Sequence, residues 1–324
     1  MAYFHLRFWL VLINSRRPLT PTETMHRAER RLHSLERIVV LGALLAVLFV
    51  SVGFAQAGGP KRKAAPELPN KMALRSSVAL VQDAESGETL FDKNSETVLP
   101  IASITKLMTA IVVLEQGLDL DERVVITKED LTSTRSSRMR GRLRPGTELT
   151  RHELMMLALM ASDNRAAAAL ARTYPAGGTE AFVALMNGQA EHLGLLDTRF
   201  NDPTGLSSDN VSSAQDLAKL VKAAHGYPLI RDYSTRRSAY VKARGGTVGF
   251  NNTNSLVRAG KWEIELSKTG YISAAGRCLV MQMRVGARDL IVVLLDSYGK
   301  YSRIGDAQRI RKWLETSAAR EPRS

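Results

Sequence analysis

The amino-acid sequence predicts an α/β fold of the α+β type, in which helices flank an antiparallel sheet and an all-helical lobe is inserted between its strands. Strand-like segments at residues 77–81 and 89–91 come first, and the pattern is then helical with loops from about 126 to 230. After Tyr233 further strand-like segments follow, and an amphipathic helix comes last. Because the chain leaves a sheet and returns to it, we expect the helical lobe to be an insertion.

The first strands and the first helix follow from local patterns. The two opening strands flank the turn-like Glu85-Ser86-Gly87, which predicts an antiparallel hairpin. Apolar residues then recur at helical spacing from Ile104 to Leu114, and Gly117 marks the end of this helix. The later strand-like segments are residues 239–242, 247–251, 263–268, 278–283 and 289–295.

The last predicted helix is basic and carries an apolar stripe. The stripe consists of Ile304, Ala307, Ile310, Trp313 and Leu314. We expect it to pack on the sheet, and the alternative is peripheral contact with a membrane surface, which suits basic amphipathic helices.

Residues 1–57 predict a signal peptide. Arginines precede an uninterrupted apolar run at 38–50, which leads into Ala55-Gln56-Ala57, the small-x-small pattern of a signal-peptidase site. The run is shorter than the roughly 20 apolar residues of a membrane span, so an uncleaved signal anchor is the less favoured alternative. Translation starting at Met25 is a second alternative, because the stretch before it is long for such a leader.

The rest of the chain divides into a tether, one large domain and a tail. Residues 58–73 are rich in Pro and Lys without an apolar period, which predicts a disordered tether. We expect the folded domain to span 74–318 and the tail to span 319–324. About 250 residues are enough to bury a substantial core.

The charge and the cysteine count restrict the function. The chain carries a net charge of +13, of which the seven Arg and three Glu of residues 1–57 contribute +4. A basic surface suits nucleic acid or an anionic polymer or membrane. Because we expect export to the periplasm or cell envelope, we expect no nucleic-acid partner. The single cysteine, Cys278, excludes an intrachain disulfide and lies in an apolar run that predicts a buried thiol.

Ser103-Ile104-Thr105-Lys106 lies at the start of the first predicted helix. Residues three apart share a helix face, so the Lys106 ammonium group can approach the Ser103 hydroxyl. Burial or a neighbouring cation such as Lys268 would lower the pKa of Lys106, as a general base requires. The pair therefore predicts a serine nucleophile and its base. A second match, Ser297-Tyr298-Gly299-Lys300, follows a strand and contains a glycine, so no helical turn would align its side chains.

Two further motifs complete the candidate active site. Ser162-Asp163-Asn164 interrupts two helical runs, and a short loop there can present a hydroxyl and an amide to a cleft. The duplicate Ser208-Asp209-Asn210 lies in a turn-rich region before a helix, where such residues serve as turn and cap residues. Lys268-Thr269-Gly270 ends a predicted strand; lysine and threonine suit a carboxylate, and glycine permits close approach of a substrate.

Together these motifs resemble those of the penicilloyl-serine transferases, in particular the low-molecular-mass penicillin-binding proteins. The likeness extends from about Leu74 to Leu314. Its most specific blocks are residues 252–258, 266–272 and 275–280, which are similar to the D-alanyl-D-alanine endopeptidases of the penicillin-binding protein 7 type. The resemblance implies the β-lactamase-like transpeptidase fold, peptidoglycan peptide stems as substrates and β-lactams as covalent inhibitors.

The resemblance also implies a role for each site residue. Ser103 would be the acylated nucleophile and Lys106 its base, while Ser162 would relay a proton to the leaving amine. Asn164 would orient Lys106, and Lys268, Thr269 and Gly270 would bind the substrate carboxylate. Backbone N–H groups of Ser103 and Tyr271 would form the oxyanion hole.

Several other enzyme classes fit less well. A class A β-lactamase needs a glutamate in an E-x-x-x-N loop to deacylate, and no glutamate here has asparagine four residues later. A D-alanyl-D-alanine carboxypeptidase remains the nearer alternative, and a non-catalytic wall-binding or β-lactam-sensing protein is the more distant one. A Ser-His-Asp hydrolase is disfavoured because GxSxG is absent. The three histidines after the leader show no metal spacing, so we expect neither a metal nor a cofactor.

Overall fold

The secondary structure of the computed structural model covers residues 72–131, 143–243 and 245–318. In chain order the strands are β1 (Ser76–Asp83), β2 (Thr89–Lys93), β3 (Leu99–Pro100), β4 (Arg123–Val125), β5 (Glu148–Thr150), β6 (Val211–Ser212), β7 (Ser238–Ala243), β8 (Gly246–Asn251), β9 (Glu263–Ile272), β10 (Gly276–Val285) and β11 (Arg288–Ser297). The α-helices are α1 (Lys106–Glu115), α2 (Arg151–Met160), α3 (Asn164–Arg172), α4 (Gly178–His192), α5 (Ala214–His225), α6 (Pro228–Thr235), α7 (Ser255–Ala259) and α8 (Ser302–Ala318).

The predicted signal peptide at 1–57, the tether up to residue 71 and the tail at 319–324 lie outside the described residues. Within the described part, no helix is both long and apolar enough to cross a membrane.

A five-stranded antiparallel sheet in the order β2-β1-β11-β10-β9 holds the fold together. The chain leaves this sheet after β2, passes through helices α1 to α7 and the β7–β8 hairpin, and returns to the sheet at β9. Because β1 pairs with β11, the first and last strands close the sheet across the insertion. The predicted α+β fold with an antiparallel sheet is thereby confirmed.

Two details of the strand prediction are wrong. The segments β7 and β8 do not join the main sheet but pair with each other as a separate hairpin. The region predicted to be helical from about 126 to 230 contains two short strands, β5, which pairs with β4 just before the region, and β6, which pairs with β3. Segments of two or three residues are too short to give a period-2 pattern, which explains why the sequence did not reveal them.

Each face of the sheet buries its own apolar core. Along β1 the side chains alternate, so Val78 and Leu80 face the core shared with the helical lobe, while Ala79 and Val81 face α8. The predicted stripe of α8 packs on this second face, as expected. Its fully or nearly buried members are Ala307, Ile310 and Leu314.

The turn at Ala102 is held from two sides by glycines. Ala102 is buried and has a left-handed φ of 48°, which is strained for a residue with a side chain. A Cβ on Gly205 would lie 2.0 Å from the Ala102 carbonyl oxygen, and a Cβ on Gly270 would lie 2.9 Å from the Ile101 carbonyl oxygen. The segments that contain Gly205 and Gly270 therefore both approach the backbone beside Ser103 at a distance that only glycine permits.

A side-chain network fixes the loop that contains Gly205. The Asp202 carboxylate accepts hydrogen bonds from the backbone N–H groups of Thr204, Gly205 and Ser207. Asn210 Nδ2 then donates to the Asp202 carbonyl at 2.8 Å and to Thr105 Oγ1 at 3.0 Å. The second Ser-Asp-Asn motif thus contributes its asparagine to holding this loop against the helical turn Ala102–Thr105.

We predict that Gly205→Ala destabilises the fold far more than Gly87→Ala. Both glycines have left-handed φ angles, +80° and +74°, but a Cβ on Gly87 would meet nothing within 4 Å. Each substitution should cost about 1–2 kcal/mol for backbone strain, and the clash at Gly205 should add roughly 1–3 kcal/mol. Urea unfolding of the two variants provides the measurement. Equal losses in the free energy of unfolding would show that the approach of Gly205 to Ala102 is unimportant.

Candidate active site

The structure brings Ser103 and Lys106 together as their spacing predicts. Ser103 lies in the short 3₁₀ helix Ala102–Thr105, and α1 continues directly from it at Lys106. Lys106 Nζ lies 2.8 Å from Ser103 Oγ. Ser103 is half-buried, whereas Lys106 is completely buried.

Three oxygens surround the Lys106 ammonium group. Besides Ser103 Oγ, Nζ contacts Asn164 Oδ1 at 2.7 Å and the carbonyl oxygen of Thr204. Burial lowers the pKa of Lys106 to about 7, although the carboxylates of Asp202 and Asp163 act in the opposite direction. A large fraction of Lys106 is therefore neutral near pH 7, which a general base requires.

The loop between α2 and α3 presents Ser162 and Asn164. Ser162 has a left-handed φ of 57°, which turns the chain sharply between the two helices. Asp163 is the N-cap of α3, and its side chain accepts hydrogen bonds from the N–H groups of Arg165 and Ala166. With Asp163 occupied as a cap, Ser162 and Asn164 are free to point into the site.

Lys268 approaches the site from β9. Its Nζ donates to Ser162 Oγ at 2.7 Å and to the Thr269 carbonyl oxygen at 2.9 Å. Burial lowers the pKa of Lys268 well below its usual value, and the positive charges of Lys106 and Arg303 lower it further. An anion bound here would stabilise the charged form of Lys268.

The strand does not end at Lys268, as the sequence predicted, but continues to Ile272. Tyr271 and Ile272 pair with Arg277 and Gly276 of β10, so the hydrogen-bonded ladder extends past Lys268-Thr269-Gly270. β9 is an edge strand of the main sheet, which leaves one side of its backbone open to a ligand. A Cβ on Gly270 would lie 3.2 Å from the backbone nitrogen of Ser103, so this edge runs directly beside the predicted nucleophile.

Sequence reasoning did not assign site positions to Thr204, Thr253 and Arg303. Thr204 contributes a carbonyl oxygen to Lys106, and no sequence pattern marks a backbone contact between distant segments. Thr253 accepts a hydrogen bond from Thr269 Oγ1 at 2.6 Å, and its N–H donates to the Met160 carbonyl, so it connects β9 with the end of α2.

Arg303, near the start of α8, adds a positive charge at the same strand. Its Nη1 donates to the Gly270 carbonyl at 3.0 Å, and its buried Nε has no hydrogen-bond partner among the described residues. Burial lowers the pKa of Arg303, and the neighbouring Arg277 lowers it further. Arg303 therefore brings a buried positive charge and an unpaired donor to the Gly270 carbonyl.

The second match to the serine–lysine motif lies elsewhere. Ser297 Oγ is 2.6 Å from Ser76 Oγ in the sheet, whereas exposed Lys300 lies over the Tyr301 ring. The two side chains therefore make separate contacts. Cys278 is buried as predicted, and burial raises the pKa of its thiol to about 11.

Comparisons with known proteins agree with this geometry. Residues 62–299 match the peptidase S11 family, described as D-alanyl-D-alanine carboxypeptidase. The chain is 45% identical over 282 residues to a D-alanyl-D-alanine endopeptidase of Pseudomonas aeruginosa, which covers 86% of this chain and 88% of that relative. It is 42% identical over 281 residues to a D-alanyl-D-alanine endopeptidase of Escherichia coli, with 85% and 87% coverage.

A solved structure supports the same assignment. The crystal structure of the Streptomyces K15 DD-transpeptidase superposes with a TM-score of 0.70 at 28% identity and covers 77% of this chain and 99% of that chain. The predicted family and the predicted transpeptidase-like fold are both confirmed. The chain belongs to the peptidase S11 family and is a serine D-alanyl-D-alanine peptidase of the penicillin-binding protein type.

Proposed function

We propose that this protein is an endopeptidase that cuts D-Ala–diaminopimelate cross-links in peptidoglycan through an acyl-enzyme on Ser103. The contact of the buried Lys106 Nζ with Ser103 Oγ carries this proposal, because it supplies an activated nucleophile. The names of the two relatives at 45% and 42% identity favour cross-link cleavage over other reactions of the family.

Lys106 acts as the base in acylation. A neutral amine donates two hydrogen bonds and has one lone pair. With Asn164 Oδ1 and the Thr204 carbonyl accepting the two donors, the lone pair faces the Ser103 hydroxyl. Ser103 Oγ then attacks the D-Ala carbonyl carbon while its proton passes to Lys106.

The oxyanion that forms on the substrate carbonyl is stabilised by backbone N–H groups of Ser103 and Tyr271. Ser103 lies at the beginning of a helical run, where N–H groups have no intrahelical acceptor. Tyr271 follows Gly270 on the strand that runs beside Ser103. Such fixed donors stabilise the transition state without reorganisation.

Ser162 passes a proton to the leaving amine. Its hydroxyl oxygen accepts a hydrogen bond from Lys268 Nζ at 2.7 Å, which leaves the hydroxyl hydrogen free to be donated. The amine then departs, and water hydrolyses the acyl-enzyme with Lys106 again acting as the base. A β-lactam would follow the first half of this path and remain bound, because the chain has no E-x-x-x-N glutamate to deacylate it.

The residue that carries the leaving amine also carries a carboxylate, and this group binds to Lys268 and Thr269. Arg303 adds positive charge at the same position. This contact does not distinguish D-Ala from diaminopimelate as the leaving group, because both have a carboxylate next to the reacting nitrogen. Trimming of a terminal D-Ala is therefore the second candidate function, and the name of the family model favours it.

We further propose that residues 1–57 direct export to the periplasm, where peptidoglycan stems are the physiological partner. The net charge that remains on the chain after removal of this leader is +9, which suits an anionic cell envelope.

Digestion of purified muropeptides tests the proposed function. We expect the enzyme to convert a cross-linked tetrapeptide dimer to monomers, and we expect a fluorescent penicillin to label it stably. The variant Ser103→Ala should lose both properties while keeping its thermal unfolding midpoint. Release of terminal D-Ala from a pentapeptide without cleavage of dimers would contradict the endopeptidase assignment. Labelling that persists in Ser103→Ala would contradict the choice of nucleophile.

We predict that Lys106→Ala slows acylation of Ser103 by penicillin by about 10²–10⁴-fold, the usual contribution of a general base. The matched control is Lys300→Ala, which removes the lysine of the other serine–lysine motif and should leave the rate within about twofold of the wild type. Stopped-flow or gel-based labelling kinetics gives both rates. If both variants lost acylation rate to a similar extent, the buried position of Lys106 beside Ser103 would not explain its contribution to acylation.

A further inference from the structure

Arg277 lies on top of Tyr271 at the end of β9 that adjoins the active site. The two residues are register partners in the β9–β10 pair, and the guanidinium carbon of Arg277 is 4.4 Å from the centre of the Tyr271 ring. Tyr271 directly follows Gly270, where an added Cβ would lie 3.2 Å from the Ser103 backbone nitrogen, and 55% of Tyr271 remains exposed. The stacked pair is therefore a partly solvent-exposed cation one residue along β9 from the glycine that adjoins Ser103.

Arg277 has no carboxylate partner within the part of the chain that the structure describes. By contrast, Arg284, at the far end of the same strand, binds Asp289 at 2.7 Å, and Arg288 on β11 binds Asp83 at 3.3 Å. Asp296 lies against Gly276 but accepts a hydrogen bond from Ser77 Oγ at 2.8 Å and forms no ion pair with Arg277. The Arg277 charge is thus left for a ligand.

In the absence of a ligand, the positive charge of Arg303 adds electrostatic repulsion to the unpaired charge of Arg277. Its guanidinium group also lacks a carboxylate partner among the described residues, and the positive charge of Arg277 lowers its pKa. Two like charges held close together without an anion destabilise each other. Since Lys268 and Thr269 already bind the carboxylate next to the reacting nitrogen, a ligand with further carboxylates could also neutralise these arginines.

We propose that Arg277, held by Tyr271, binds a second carboxylate on the stem peptide that leaves when a cross-link is cut, and thereby favours cross-linked stems over a terminal D-Ala. This inference rests on the proposed endopeptidase function. Arg277 is a specificity-determining residue here, and the bond-breaking steps on Ser103 are unchanged.

The chemistry of the two leaving groups explains the preference. A leaving D-Ala has a single carboxylate, next to its amine, and Lys268 and Thr269 already bind that group. A leaving stem presents the same carboxylate on diaminopimelate, and it continues into a peptide with further free carboxylates. Arginine suits the second group because its planar fork binds carboxylates in a bidentate manner.

The test compares Arg277→Gln with Arg284→Gln on two substrates, a cross-linked tetrapeptide dimer and a monomeric pentapeptide. Arg277→Gln should lower kcat/KM for the dimer by roughly three- to tenfold, the size expected for a half-exposed charged hydrogen bond, and should change the pentapeptide value by less than about twofold. Arg277→Lys should restore part of the loss. Arg284→Gln should leave the ratio of the two kcat/KM values unchanged.

Further measurements distinguish a failure of the Arg277 proposal from a failure of the proposed endopeptidase function. Penicillin acylation rates should be equal in wild type and Arg277→Gln, which shows an intact site. A dimer in which the leaving stem keeps the carboxylate next to the reacting nitrogen, but has its other carboxylates amidated, should lose its sensitivity to Arg277→Gln. Equal losses on dimer and pentapeptide, or no loss on either, would overturn the inference while leaving the proposed function intact. A wild-type enzyme that does not cut dimers at all would overturn both.

Discussion

The contacts of the buried Lys106 ammonium group are the interaction on which the rest of the site depends. Its ammonium nitrogen contacts oxygens from three separate segments: the turn of Ser103, the first residue of α3 at Asn164, and the loop at Thr204. A lysine without solvent is tolerated only where such partners exist, and the same burial brings its pKa to about 7. The interaction therefore connects the start of α1 with α3 and with the Thr204 loop, and it supplies the base at the same time.

Backbone conformations with unusual φ angles make that burial geometrically feasible. Ala102 and Ser162 both adopt left-handed conformations, at φ values of 48° and 57°, in the segments that bring Ser103 and Asn164 to Lys106. Strain of this kind persists only where the surroundings determine the conformation, and here Gly205 and Gly270 pack against the Ala102 turn. The asparagine of the second Ser-Asp-Asn motif, Asn210, stabilises the loop that delivers Gly205 and the Thr204 carbonyl.

Sequence patterns were sufficient for the parts of this arrangement that are local. The i, i+3 spacing of Ser103 and Lys106, the hairpin of β1 and β2, and the apolar stripe of α8 are all periodic features, and the structure contains them. The Thr204 carbonyl and Lys106 are 98 residues apart in sequence, and Arg303 and the Gly270 carbonyl are 33 residues apart. In each contact the acceptor is a backbone carbonyl oxygen. Every residue type has the same backbone carbonyl, so the sequence does not show which carbonyls accept these hydrogen bonds. The sequence prediction that β9 ends at Lys268 is wrong because glycine is typical of strand ends, whereas Gly270 here pairs with Cys278 within the ladder.

The pH dependence of acylation tests most directly whether Lys106 acts as a neutral base. Only the deprotonated amine can accept the Ser103 proton, and the fraction of this form rises as the pH approaches the pKa of Lys106 from below. The rate of penicillin acylation should therefore rise about tenfold per pH unit below pH 7 and level off above it, with a midpoint at about 7. A rate that is independent of pH in this range, or one that falls as the pH rises through about 7, would contradict the account.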